Sequence, residues 1–361
     1  MTDEERCSPL HDVQIAAGAE FIWEDGWPWV MKFGDNALGE YEAIRSATGL
    51  WDLFSTMKYE VTGPDAARLI QRRFTNDLSG VEAGQVRYGA FVNADGLMVD
   101  DGNVYKHSDE KFWVLINTGG LEDWFRETAE GLDASVAGRT EELPMISATG
   151  PTSRDLVQRL TDFDLSSLGY FRFNPEPIQV AGLTTTVLRT GFSGVLGFEL
   201  VTDPSSVVTL WEALIAAGGT PFGLEAIDIA RIEAGLIIIA LDYQPGETSP
   251  FDVSLDRFVK QGTENVGSKA LAAAAANPPK RLKTLQIQGE ASPEAGATVT
   301  KDGENVGTVT SPAVSPRLGT IALAVLSTGA ANDGEKVEVG DAVATVAPLS
   351  LFDPEKKRPR V

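Results

Sequence analysis

Residues 189–200 run Arg-Thr-Gly-Phe-Ser-Gly-Val-Leu-Gly-Phe-Glu-Leu, with glycines at 191, 194 and 197 and one acid, Glu199, between apolar neighbours. Glycine at that density permits close backbone approach and positive φ. Phe198-Glu199-Leu200 has the composition of a strand. The segment therefore predicts a tight loop running into a strand that holds one carboxylate at the rim of whatever the loop covers. An earlier cluster comprises Thr75-Asn76-Asp77, Gly84-Gln85-Val86-Arg87-Tyr88 and Asp95-Gly96-Leu97-Met98-Val99-Asp100-Asp101. Adjacent side chains on a strand face opposite ways. Only one of Asp100 and Asp101 can enter a given pocket; the other should face solvent or accept a capping hydrogen bond. The inward carboxylate could orient an amine and stabilise positive charge on it. A solvated acidic hairpin end is the plainer reading of the pair alone.

With 361 residues, 43% of them apolar and 23% charged, the chain reads as a soluble protein of two or three domains. No apolar run approaches the roughly 18–20 residues that span a bilayer. Met1-Thr2-Asp3-Glu4-Glu5-Arg6 lacks the basic-then-apolar order of a signal peptide. The expectation is a cytoplasmic protein with no membrane contact. A net charge of −22 argues against nucleic acid and anionic membranes as partners. Cys7 is the one cysteine, and His11 and His107 are the two histidines. Neither histidine has a partner at i+4, so no metal site is expected. There is no G-x-S-x-G, and His107 reads as part of a turn-like Lys-His-Ser-Asp-Glu stretch, which disfavours a serine hydrolase.

Period and punctuation predict helices at 38–48, from Gly63-Pro64-Asp65 onward, and at 121–131, 153–160, 207–217 and 223–236. Strands are predicted at 58–62 and 111–117, near 176–190 and at 197–202. Residues 85–105 read as a hairpin turning at Asn93-Ala94-Asp95-Gly96. Gly63-Pro64 and Gly150-Pro151 each precede a helix, which suggests two related α/β units, at 1–145 and 146–278. Ser268 is read as the cap of a helix through 270–276 that stops at Asn277 and Pro278-Pro279. Beyond it the pattern is β, with a hairpin turn at Lys301-Asp302-Gly303-Glu304. The fold class is α+β: two related α/β units, a small antiparallel barrel at 281–350, and a basic tail at 351–361.

Taken together these motifs resemble the tetrahydrofolate-dependent aminomethyltransferase family, known from the T-protein of glycine cleavage. The family pattern Arg-Thr-Gly-aromatic-x-Gly-x-x-Gly-Phe-Glu is matched by Arg189, Thr190, Gly191, Phe192, Gly194, Gly197, Phe198 and Glu199. Its Gly-Gln-x-x-Tyr, apolar pair and Asp-Asp are matched by Gly84, Gln85, Tyr88, Met98-Val99 and Asp100-Asp101. Ser315-Pro316-Arg317-Leu318-Gly319 is similar to the family's β-domain. The resemblance implies tetrahydrofolate as cofactor, Asp101 as the catalytic carboxylate beside the reactive folate nitrogens, and Glu199 as the two-pronged anchor of the pterin. It implies that Tyr88, Asn117 and Phe192 line the site. Tyr88 as a half-buried strand aromatic and Asn117 as a polar strand end are the alternatives. A polyanionic folate tail would need a basic patch, which Arg72-Arg73 or Arg87 could supply.

Three positions depart from the family. Its Ala-Arg-Asp is Ala226-Ile227-Asp228, so the arginine is Ile227. The usual tyrosine of the glycine loop is Phe192. Asp-Val-Ser-His-Met becomes Asp52-Leu53-Phe54-Ser55-Thr56-Met57, without the histidine. Losing a cation and a hydroxyl makes the substrate side more apolar. The leading expectation is thus a demethylase moving a methyl group from a small methylated substrate to the folate N5. The alternative is an aminomethyltransferase served by a lipoyl carrier protein. A third is a non-enzymatic folate binder, against which stands the absence of cysteine at Val259-Lys260-Gln261-Gly262.

Overall fold

The computed structural model describes residues 6–289 and 292–361. The five residues before Arg6, which carry most of the segment read for a leader, lie outside it. Helix His11–Ala16 opens the described chain. The Trp-rich stretch after it is a hairpin, Ala19–Glu24 with Trp27–Phe33.

Two sheets follow. The first has five antiparallel strands in the order Val86–Val92, Met98–Ser108, Lys111–Ile116, Met57–Thr62, Ser135–Gly138. The predicted 85–105 hairpin is its edge. Asn93 shapes the turn, its Oδ1 accepting from the amides of Asp95 and Leu97 at 3.0 Å each. Alternation sorts the side chains. Val61, Phe91, Val104, Phe112, Val114 and Ile116 pack outward with Leu69, Ile70 and Phe125 of helices Ala66–Gln71 and Glu122–Thr128. Tyr105, Trp113 and Leu115 turn inward.

The second sheet has six strands, in the order Ile178–Val180, Leu183–Leu188, Gly197–Val201, Met145–Thr149, Gly49–Asp52, Thr220–Pro221; only the last pair is parallel. Its outer face, with Ile146, Phe198 and Leu200, packs with Leu156 and Val157 of helix Ser153–Gln158 and Leu210 and Leu214 of Val207–Ala216. Its inner residues Trp51 and Leu188 share one core with Tyr105, Trp113 and Leu115 of the first sheet. The two sheets therefore face each other, and polar residues at inward positions lie between them.

Residues 280–347 form a closed six-stranded antiparallel barrel around Leu285, Val309, Leu326, Val337 and Val346. Its first hairpin turns on Asp302 (φ 53°) and Gly303 (φ 82°), the left-handed pair that a two-residue loop requires. Helix Ser268–Ala276 differs from expectation at its start. Gly267 holds the cap position and Ser268 is the first helical residue, with no side-chain cap bond.

Helix Leu224–Ala234 ties these bodies together. Its Glu233 accepts from Tyr41 (2.6 Å), from Arg45 Nε (2.8 Å) and from the Ser315 hydroxyl of the barrel (2.5 Å). Arg45 also donates to the carbonyls of Ser193 and Ala230, each at 2.7 Å. Both charged side chains are fully buried. Removing one partner leaves the other charge buried and unpaired, which costs about 3–5 kcal/mol. Glu233→Ala should lower unfolding free energy by about that amount in urea titration, and Glu233→Gln by less, because the amide still satisfies part of the network.

Candidate active site

Asp101 sits on the inner face of strand Met98–Ser108 and is 6% exposed. Both of its oxygens are held by phenols. Tyr88 donates to Oδ2 at 2.7 Å and Tyr243 donates to Oδ1 at 2.6 Å. Burial and the neighbouring Asp100 push the Asp101 carboxyl up to about 7, although both phenols oppose the shift. A carboxyl there can exchange a proton near neutral pH.

Asp100 faces the other way, as strand geometry requires, but not into solvent. It is fully buried and accepts from the backbone N–H groups of Asp101 (2.7 Å), Asn117 (3.2 Å) and Thr118 (2.8 Å). The capping role is thus its role. Asn117 is exposed just past strand Lys111–Ile116, and its Nδ2 donates to Asp100 Oδ1 and the Asp101 carbonyl, each at 3.0 Å. It ties the ends of two strands together at the open edge of the site.

Glu199 lies on strand Gly197–Val201, in a cross-strand row with Leu188, Ser147 and Trp51. It is 7% exposed. Thr190 donates to its Oε2 in a short hydrogen bond, and Tyr105 donates to the same oxygen at 3.4 Å. Burial raises its carboxyl above the usual range, against those two donors. Tyr105 shares a strand face with Asp101 and a hydrogen bond with Glu199. It stands four residues beyond Asp101 on the same strand face, roughly 13 Å along the strand. Between them Asn103 has a buried Oδ1 with no partner. That acceptor, with Glu199 and Asp101 on the facing sheets, suits a flat heterocycle bearing ring N–H groups.

Of the three loop glycines, Gly194 is the one that requires its identity. Its φ is +73°, and a Cβ would stand 2.5 Å from the Ala234 Cβ. The close approach sets Ser193 on Arg45 and so fixes the loop. Phe192 packs half-buried against the same core as Ile227, which is 1% exposed among Trp51, Phe222 and Ala226. The position where the resemblance expects an arginine is thus filled by hydrocarbon.

Three residues were not singled out from the sequence. Tyr105 could have been, as the aromatic four places after Asp101. Lys58 is buried with its Nζ donating to the carbonyls of Leu53 (2.9 Å), Phe54 (3.2 Å) and Thr56 (2.7 Å). Burial lowers its ammonium to about 7, while Asp52 and Glu199 hold it up. Tyr243 comes from the segment after helix Leu224–Ala234 and had no local signal.

Two of the three arginines expected to supply a basic patch have local partners. Arg72 donates to the carbonyls of Thr128 (2.6 Å) and Glu130 (2.9 Å), and Arg73 to the Thr128 hydroxyl (2.9 Å), so both serve the helix end. The cations near Tyr170 are Arg257, Arg360 and Arg189, and Arg257 also neighbours Tyr88. His107 is no turn residue. It is the penultimate residue of strand Met98–Ser108, its ring 4.2 Å from Trp113 and 4.7 Å from Phe173, and burial lowers it to about 4. Among the described residues no cluster of His, Cys, Asp and Glu has the geometry of a metal site. No described helix is long and apolar enough to cross a membrane.

Facing sheets that bury two carboxylates, with a closed barrel beyond them, place the chain in the class of two-sheet proteins with a C-terminal barrel. Residues 10–263 match the GCVT N-terminal domain and residues 280–353 the glycine cleavage T-protein C-terminal barrel domain. The chain belongs to the glycine cleavage T-protein family. It is 35% identical over 347 residues to a probable aminomethyltransferase of Haloarcula marismortui, covering 92% of this chain and 94% of the relative. It is 37% identical over 327 residues to an aminomethyltransferase of Streptomyces avermitilis, covering 87% of each. Its fold is that of the glycine cleavage system aminomethyltransferase T of Bartonella henselae, with a TM-score of 0.89 at 23% identity over 97% of this chain and 99% of that one.

The raised carboxyl of Asp101 makes a stability prediction. A folded value near 7 against an unfolded value near 4 means that folding favours the protonated form. The associated stability is full below about pH 4 and is lost as pH rises through 7. Asp101→Asn should therefore gain stability relative to wild type as pH rises from 4 to 8, by about 1–3 kcal/mol in denaturant titrations.

Proposed function

We propose that the chain is a tetrahydrofolate-dependent one-carbon transferase of the aminomethyltransferase type, with Asp101 as its catalytic carboxylate. The observation that carries the reading is the pair of buried carboxylates on facing sheets, one of them, Asp101, able to exchange a proton near neutrality. Glu199, held by Thr190 and Tyr105, would accept the adjacent N–H and amino groups of the pterin. Tyr88, Asn117 and Phe192 would line the same space. Bound tetrahydrofolate supplies the ring nitrogen that accepts the carbon unit. Asp101, ionised, would orient the donor's protonated amine and stabilise its positive charge. The amine would leave as neutral ammonia with the electron pair of the carbon–nitrogen bond, and Asp101 could take up the proton that the attacking ring N–H gives up. Enclosure between two sheets excludes water and aligns the reactants, the source of most of the acceleration in a scheme without an enzyme nucleophile.

The relatives' names support aminomethyl transfer over the demethylation expected from the sequence, with a lipoyl carrier as the donor that the family resemblance implies. A small methylated donor stays as the second reading on one observation: Ile227 and Phe192 present hydrocarbon where the family carries an arginine and a tyrosine.

Anaerobic assays separate them. Wild type should bind tetrahydrofolate in calorimetry, and Glu199→Ala should weaken that binding at least tenfold. With aminomethylated carrier protein, wild type should release ammonia, and Asp101→Ala should lose 10²–10⁴ of the rate. Methylated folate formed from small methyl donors without ammonia would establish the second reading. Folate binding with no turnover on either donor would support the non-enzymatic one. No binding by folded wild type overturns all three.

A further inference from the structure

Tyr243 reaches Asp101 from outside both sheets, and what holds it is the barrel. Its neighbour Asp242 is 2% exposed and takes hydrogen bonds from three directions. Oδ2 accepts from Arg231 Nη1 of helix Leu224–Ala234 (2.5 Å) and from the Ile238 amide (2.9 Å). Oδ1 accepts from the hydroxyls of Thr310 (2.5 Å) and Ser311 (2.8 Å), both on barrel strand Glu304–Ser315. Arg231 is itself fully buried and donates to Ser311 at 2.7 Å. The turn is closed by the Ala240 amide on the Tyr243 carbonyl at 2.8 Å, with Ala240 at φ +64°. Beyond it the Gly246 amide donates to the Met98 carbonyl, and the Met98 amide to that of Thr248, which seats the segment on the strand that carries Asp101.

We infer that Tyr243 is a positioning residue for Asp101, and that the barrel sets it through Thr310, Ser311 and Asp242. Asp101 thus takes one donor from its own sheet, Tyr88, and one from a segment fixed by another domain. Tyr243 fixes the direction of Oδ1 and favours the ionised carboxylate by donating to it. The charges facing Asp101 are Asp100 on its own strand and Asp242 across the turn, both raising it. Arg231 sits on Asp242, and Arg257 lies beside Tyr88. Asp242 therefore acts in two opposed ways, through its charge and through its hold on Tyr243. A variant that tests the hold must keep the charge, and Thr310→Val does.

The inference rests on the proposed role of Asp101 only for its effect on turnover. Its primary test needs no substrate. The full chain, labelled at the aspartate side-chain carbon, is titrated by NMR, with the Asp101 signal assigned by its absence in Asp101→Asn. Tyr243→Phe should move the Asp101 midpoint up by about one pH unit, since a donor to the charged form is lost. Thr310→Val should move it the same way by a smaller step. An unmoved or lowered midpoint in folded Tyr243→Phe overturns the positioning role. An unmoved midpoint in Thr310→Val, with Tyr243→Phe shifted, overturns the barrel's part. In turnover, Tyr243→Phe should reduce kcat tenfold or more, leave KM for tetrahydrofolate unchanged, and shift the acid limb of the profile to higher pH. If no donor turns over, the proposed function fails while the NMR result still decides this inference.

Discussion

The buried Arg45–Glu233 pair is the constraint on which the rest of the arrangement depends. Glu233 receives donors from helix Ala37–Ser46 and from the barrel, while its own backbone carbonyl accepts from Leu351 and Phe352 of the tail. Arg45 in turn holds the glycine loop through Ser193 and lies 3.9 Å from the Phe352 ring. Desolvating two ions is expensive, and only near-complete hydrogen bonding recovers the cost. The pair therefore tolerates one register of helix Leu224–Ala234. Arg231, two residues earlier on that helix, makes the second buried pair with Asp242. One helix thus fixes the loop that presents Glu199 and the turn that presents Tyr243.

The sheets add a second requirement. Each has an outer apolar face that its helices cover and an inner face that must meet the other sheet. An inner face made wholly of hydrocarbon would be simplest to bury. Lys58, Asp101, Asn103, Ser147 and Glu199 are inward positions that break it. Polar groups in so dry an interval interact more strongly than in water, and each one unpaired is costly. The charged ones are partnered accordingly: Lys58 donates to three carbonyls, Asp101 accepts from two phenols, and Glu199 accepts from a hydroxyl and a phenol.

What the sequence made legible was local. The hairpin at 86–108 follows from turn chemistry at Asn93–Gly96, and the exclusion of Asp100 from the Asp101 side follows from strand alternation. Glu199 was marked by the glycine spacing before it. The Tyr88–Asp101 contact lies within one hairpin, across a diagonal of neighbouring strands. Residues delivered from afar were not legible. Tyr243 meets Asp101 across 142 positions, and Arg45 meets Glu233 across 188. Such pairs are chosen by how the sheets and barrel dock, and no spacing announces them. The local partners of Arg72 and Arg73 were illegible for a related reason: both look free in a sequence but donate to the carbonyls and hydroxyl at a helix end. Ser268 looked like a cap because its type suits one, while the backbone placed Gly267 there instead.

The charges between the sheets are not balanced evenly. Glu199 has Lys58 on its side, and the ammonium is raised by that carboxylate in turn. Asp101 has two phenols, and among the described residues no lysine or arginine forms an ion pair with it. Phenols direct a carboxylate without neutralising it, so Asp101 stays high, near 7, where burial first and then Asp100 and Asp242 push it against those two donors. A carboxylate in that state gains most from a cation that arrives with the substrate. A protonated amine supplies one; as its carbon–nitrogen bond breaks, the bonding pair goes to nitrogen and it would leave as neutral ammonia, while the ionised Asp101 could take up the proton that the attacking N–H gives up. An uncharged methyl ether would bring no such charge. Under the proposed function a cationic donor, a protonated amine among them, would therefore suit this interior better than a neutral one, and the hydrocarbon at Ile227 would bear on the shape of what carries that charge.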